Sequence, residues 1–203
     1  TRYLPAIRKV REWIAEGRIG EVRSMHANFG YHAVRDPEGR LLNPHKAGGA
    51  LLDVGIYPVS FASMIFGRQP ERISSHAHIG DTGVDEANAM LFAYPGGRSA
   101  TLQSAVQLQL ENHCDIYGSK GKIHIPNFWM AKEAVLQPNN GETERFSYDG
   151  DRIGYAFEAE EAGRCLREGL TESPDMPLDE TLAIMRTMDE IRRQWGLRYP
   201  FEN

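Results

Sequence analysis

Between Tyr3 and Gly17 the apolar residues Leu4, Ile7, Val10 and Ile14 recur at helical spacing, with Arg8, Lys9, Arg11 and Glu12 between them. This pattern predicts an amphipathic surface helix stopped by Gly17. Val22 to Tyr31 alternates only weakly, yet it lies between Gly20 and the Asp36, Pro37, Gly39 turn cluster, which predicts a strand followed by a long loop to Gly49. Gly48 and Gly49 release the chain into a second helix, on which Leu52, Ile56, Val59 and Ser63 or Phe66 share a face before Gly67 and Pro70 end it. Pro58 removes one backbone donor inside this helix. It predicts either a kink or a change from a short first turn into the main body.

The next seventy or so residues read as strands separated by glycine turns: Arg72 to Ile79, Glu86 to Tyr94, Arg98 to Leu110, His113 to Tyr117 and Lys122 to Ile125. Tyr94-Pro95-Gly96-Gly97 and Gly118-Ser119-Lys120-Gly121 are hairpin connections, so these strands are expected to be antiparallel neighbours. Leu102, Val106, Leu108 and Leu110 alternate with Gln103, Ala105, Gln107 and Gln109, giving one apolar face and one polar, uncharged face. A further hairpin spans Ala134 to Tyr148 around Asn139-Asn140-Gly141. Two closing helices are lined by Tyr155, Ala159, Ala162 and Leu166 up to Gly169, and by Leu182, Met185, Met188, Ile191 and Trp195 up to Gly196. Without repeats or composition breaks, residues 1–203 read as one α+β domain, a mostly antiparallel open β-sheet with helices packed on one face.

A chain of 203 residues with 41% hydrophobic content can bury a real core. Its 23 basic and 28 acidic residues leave a net charge of -5, which disfavours nucleic acid as a partner. The most apolar segment, Ala50 to Phe66, is interrupted by Asp53 and Pro58, and no stretch reads as the roughly 20 apolar residues of a bilayer span. No export signal is visible at the amino terminus. Cys114 and Cys165 do not make a disulfide framework, so the expectation is two reduced thiols in a soluble cytoplasmic protein.

Metal-binding motifs are absent, and His76 and His78, on one face of a strand, lack a third ligand. No Gly-x-Ser-x-Gly elbow or Gly-x-Gly-x-x-Gly dinucleotide fingerprint occurs, and Gly118 to Gly121 reads as a turn between strands rather than a phosphate cradle. The remaining candidate chemistry lies in Gly48-Gly49-Ala50-Leu51-Leu52-Asp53-Val54-Gly55-Ile56-Tyr57-Pro58. Asp53 and Tyr57, four residues apart, stack on one helix face near its amino end. A carboxylate and a phenol so placed suit a hydroxyl substrate, while spacing alone points first to an ordinary first-turn aspartate and a boundary tyrosine.

At this segment the chain resembles the Gfo/Idh/MocA family, named for glucose-fructose oxidoreductase, inositol dehydrogenase and a rhizopine-catabolism protein, and within it the dihydrodiol and D-xylose dehydrogenase branch. Arg2 to Val22 resembles the first helix after the nucleotide domain, Gly48 to Ser60 the glycine-rich catalytic helix, and Pro177 to Phe201 the closing helix of this branch. The resemblance implies a two-domain subunit with an N-terminal Rossmann domain, absent from this chain, that holds most of the NAD or NADP. Substrate, a sugar, cyclic polyol or dihydrodiol, would lie in the cleft between the domains. Many members carry an aspartate and a histidine at the positions of Asp53 and Tyr57; the tyrosine here points to the dihydrodiol and glucose-fructose branches.

The resemblance further implies that Asp53 and Tyr57 are catalytic and that Arg2 approaches the cofactor. The family's Glu-Lys-Pro lysine does not occur in this chain, which is therefore expected to be inactive alone. A phenol of ordinary pKa about 10 is a poor base at neutral pH unless a cation lowers it, and that lysine would supply the charge. The implied partners are a small-molecule substrate and a second copy, joined through the sheet face. The competing class is a non-catalytic binding or assembly module, for which the polar glutamine-rich sheet face is also suited.

Overall fold

The computed structural model describes residues 1–67, 69–152 and 154–202. Short-range chemistry accounts for the helix ends. Helix α1 (Pro5–Ala15) opens on a proline, whose missing N–H is harmless in a first turn, and Gly17 closes it at φ 70°. Helices α3 (Gly154–Arg167) and α4 (Leu178–Trp195) stop at Gly169 and Gly196, both left-handed. Helix α2 (Ile56–Phe66) stops at the left-handed Gly67 and is preceded by a wide π turn at Leu51–Gly55.

Eight strands follow the expected segments: β1 (Val22–Gly30), β2 (Arg72–Ile79), β3 (Asp85–Tyr94), β4 (Arg98–Ala105), β5 (Cys114–Gly118), β6 (Gly121–Ile125), β7 (Glu133–Pro138) and β8 (Glu144–Ser147). They form one sheet in the order β2-β3-β4-β1-β5-β6-β7-β8, antiparallel throughout except for β1 beside β4. The fold is α+β, with α1 against β7 and β8, α2 against β1 and β4, and α4 against β2.

Met25, Ala27, Met90, Phe92, Leu102, Ile116, Ile123 and Leu136 form the buried face beneath the helices. Across the opposite face run Leu91, Thr101, His26, Asp115 and His124, cross-strand neighbours on β3, β4, β1, β5 and β6.

Several sequence expectations need correction. Strand β4 ends at Ala105 rather than Leu110, and it does not neighbour β5, because β1 inserts between them. On α3 the stripe Tyr155, Ala159, Ala162, Leu166 faces solvent; the buried stripe is Phe157, Glu161, Cys165. A reading by hydrophobicity passes over Glu161, whose carboxylate is buried but matched by Arg164 and Ser173, which hold its pKa down at about 2. On α4 Leu182 and Met185 are exposed, and Ile184, Thr187, Met188 and Ile191 face inward. On α2 the expected Val59, Ser63 and Phe66 are buried, joined by Pro58, Phe61 and Ala62, whereas Ile56, and Leu52 in the π turn, are only half-buried.

The stretch Pro44–Phe66 is apolar and long enough by composition to cross a membrane, a length the sequence reading missed. It is broken into a short 3-10 turn, the π turn and α2, and most of it is buried in the domain core.

Candidate active site

The segment Gly48 to Pro58 is shaped by what lies beneath it. Gly49 adopts φ 117°, and a Cβ there would overlap the Asp85 carboxylate. A Cβ on Gly55 would lie 2.8 Å from Ser104 Oγ, so glycine lets the π turn settle onto β4. Pro58 has no N–H for the Val54 carbonyl one α-turn back, and the ladder changes register immediately upstream, in the π turn. Of the two outcomes expected for Pro58, the second occurs, a distinct first turn ahead of the main body.

Asp53 lies in the π turn and Tyr57 in the first turn of α2, and both line one cleft of about 520 Å³ together with Arg2, Tyr3, Ser60 and Glu158. The Asp53 carboxylate is held from the preceding loop. Tyr31 Oη donates to Oδ2 at 2.7 Å, and the exposed Arg40 guanidinium pairs with Oδ1. Burial, and then the hydrogen bond to Asp53, push the Tyr31 phenol up to about 12.

The Tyr57 ring is fixed by aromatic packing. It stands edge-on to Phe29, with centroids 5.2 Å apart, and to Trp129 at 6.3 Å, while Phe29 and Trp129 stack at 4.9 Å. Its hydroxyl makes no hydrogen bond among the described residues. Burial, followed by Tyr155, Asp53 and Glu158, raises its pKa above the ordinary phenol value. The hydroxyl is therefore a protonated donor at neutral pH. A smaller hollow of about 170 Å³ adjoins it, walled by Leu4, Trp129, Met130 and Tyr155.

Arg2 also reaches the cleft wall, but its guanidinium is turned into the protein. It is 9% exposed and donates to both Glu180 carboxylate oxygens (2.5 and 3.0 Å), to the Asp175 carbonyl at 2.9 Å and to the Ser60 carbonyl at 3.3 Å. Burial pushes the Glu180 carboxyl up, and the bonds from Arg2 and Ser63 outweigh it, holding that group below the usual range. Arg2 thus ties the start of α1 to α2 and α4.

The structure brings Asp53, Tyr57 and Arg2 to one cleft. It adds Tyr31, Arg40, Phe29, Trp129, Glu158 and Glu180, none singled out from sequence, although Arg40 falls in the long loop expected before Gly49. His76 and His78 are both exposed on β2, and among the described residues no group of three His, Cys, Asp or Glu side chains is arranged to hold a metal.

A sequence profile of the GFO/IDH/MocA C-terminal domain matches residues 7–124. The chain is 37% identical over 209 residues to trans-1,2-dihydrobenzene-1,2-diol dehydrogenase of Mus musculus and 35% identical over 211 residues to that of Homo sapiens. Each match covers 98% of the chain, which spans 61% of the length of these curated relatives. Among solved structures, an aldose-aldose oxidoreductase from Caulobacter crescentus complexed with glycerol superposes with TM-score 0.82 at 21% identity, over 96% of this chain and 60% of that one. A 3-ketoreductase from Actinomadura kijaniata with NADP and TDP-benzene gives TM-score 0.79 at 22% identity, over 94% and 59%. These two share the fold.

Proposed function

This chain belongs to the Gfo/Idh/MocA family, as its C-terminal domain, and from that premise we propose that the full-length protein is an oxidoreductase acting with NAD or NADP on a hydroxyl-bearing ring carbon of a trans-dihydrodiol or a sugar. The dehydrogenase names of the relatives support the reaction class, and the NADP bound by the ketoreductase supports the cofactor. The observation that carries the reading is the Tyr57 hydroxyl, free of partners among the described residues and held in a rigid aromatic frame at the cleft.

The cofactor fits this chain only in part. The cleft has room for a ring beside Tyr57, but among the described residues no glycine-rich strand-to-helix turn is present to cradle a pyrophosphate. In this reading an N-terminal nucleotide domain outside residues 1–203 would hold the dinucleotide, and Tyr57 and Asp53 would serve the substrate in the cleft they line. When bound, the cofactor supplies the hydride-transfer chemistry. Arg2 serves as a brace for the cleft wall, since a contact to the cofactor would compete with Glu180.

This chain's residues handle the proton. Tyr57 donates from Oη to the substrate oxygen as a carbonyl becomes an alcohol, and takes the proton back in the oxidative direction. Within this chain burial and acidic neighbours raise the phenol, so the oxidative direction calls for a cation from outside it, the part assigned to the upstream lysine of the family. Asp53 has acceptor capacity left after Tyr31 and Arg40, enough to take a substrate hydroxyl and fix the ring. The open sheet face is read as a contact between copies of the protein. The two free, buried cysteines support a reducing, cytoplasmic setting.

The test is to assay the full-length protein with dihydrodiols, aldoses and inositols and both cofactors, beside Tyr57→Phe. The phenylalanine variant should lose turnover about 10²-fold or more with an unchanged melting temperature. Turnover within a few-fold of the parent would remove Tyr57 from the mechanism.

A further inference from the structure

Beneath the π turn runs a buried polar chain that proton transfer does not use. Asp85, the first residue of β3, is fully buried. Its Oδ2 accepts from the Leu51 N–H at 2.8 Å and from Asn88 Nδ2 at 2.8 Å. Asn88 Oδ1 in turn accepts, at 2.8 Å, from Oγ of the equally buried Ser104 on β4. The two ends of this chain meet the two ends of the glycine-rich segment, Gly49 packing on the Asp85 carboxylate and Gly55 on Ser104 Oγ. The contacts therefore bracket Asp53 on both sides, the second lying two residues before Tyr57.

A π turn is less favourable than continued α-helix and persists where tertiary contacts hold it. Relaxation to α geometry shifts the register by one residue and turns the upstream side chains by about 100° around the axis. Asp53 would then leave the cleft that it shares with Tyr57. The hydrogen bond to the first amide of the turn and the close packing at its last residue are the contacts that oppose this.

We propose that Asp85, with Asn88 and Ser104, is a positioning unit that holds the π turn and so sets Asp53 and Tyr57 to face the same cleft. The proposal rests on the reading of Tyr57 and Asp53 given above. Neither Asn88 nor Ser104 reaches the cleft, so the unit acts only through the turn.

The experiment uses the full-length protein and the variants Asp85→Ala, Asp85→Asn and Ser104→Ala, each alone and with Asp53→Ala. Kinetics are read alongside amide hydrogen exchange across residues 51–57. Asparagine can keep an acceptor oxygen at the Oδ2 position, so Asp85→Asn should stay within about threefold of the parent in kcat, whereas Asp85→Ala should lose about tenfold or more, the scale of small misplacements of reacting groups. Exchange across the turn should accelerate about tenfold in the alanine variant and not in the asparagine variant. In the Asp53→Ala background the alanine change should cost less than about threefold, since it acts through a group already removed.

Ser104→Ala, small enough to fold, should move kcat and exchange in the same direction and carries the test if Asp85→Ala does not fold. Unchanged exchange over 51–57, or an alanine penalty equally large in both backgrounds, would overturn the proposal. If Asp53→Ala or Tyr57→Phe alone leaves turnover intact, the reading of that residue falls, while the exchange data still decide whether Asp85 holds the turn.

Discussion

Replacing Asp85 by asparagine should stabilise the protein at neutral pH and change it little in acid. Burial pushes the Asp85 carboxyl up from an ordinary 3.8 to about 6, against the hydrogen bonds from Asn88 and the Leu51 N–H. A carboxyl whose folded pKa lies above its unfolded value holds a proton more readily in the folded state. Stability is therefore lost as pH rises through the interval from 3.8 to about 6, and it stays lost above. The two-unit gap corresponds to a burial cost of about 3 kcal/mol at pH 8, falling to about 1 kcal/mol at pH 4.5, where the folded carboxyl is already protonated.

Asparagine can keep both hydrogen bonds at the Oδ2 position, but it puts an amide donor where Oδ1 has no partner among the described residues. That orphan donor costs about 1 kcal/mol at every pH. The net expectation is a gain of about 2 kcal/mol at pH 8 and almost none at pH 4.5. Urea unfolding followed by tryptophan fluorescence, at both pH values, measures it. An equal shift at the two pH values would show that the buried charge is not the source of the cost, and a loss of stability at pH 8 would show that the carboxylate itself is favourable there.

Two further outcomes follow from the described contacts. Arg2→Ala leaves Glu180 with Ser63 as its hydrogen-bond partner among those described and should lower stability by about 2 kcal/mol, read as a melting-temperature drop, whether or not the protein turns over substrate. Thr101→Arg, placing a charge in the middle of the open sheet face beside His26 and Leu91, should convert an oligomeric full-length protein to monomer in light scattering; an unchanged mass, or a monomeric parent, would remove that face from assembly.

The elements that were legible in the sequence are those governed by neighbours within a few residues. The glycine stops after all four helices, the β3-β4, β5-β6 and β7-β8 turns and the stripe Leu4, Ile7, Val10 are all local, so period and turn chemistry identify them. That Asp53 and Tyr57 share one cleft was legible for the same reason, the two being four residues apart in one glycine-rich segment. The inner face of α3 was not, because its middle position is Glu161, and a buried carboxylate is recognisable only once Arg164 and Ser173 stand beside it.

What only the tertiary structure decided is non-local: β1 lying between β4 and β5, Tyr31 and Arg40 closing on Asp53, Arg2 turning toward Glu180 across 178 positions of sequence, and Asp85 meeting the amide of Leu51. Sequence periodicity carries information about which face of an element is apolar. It carries none about which distant element will cover that face, because that choice is made by the summed burial and hydrogen bonding of the whole sheet and its helices.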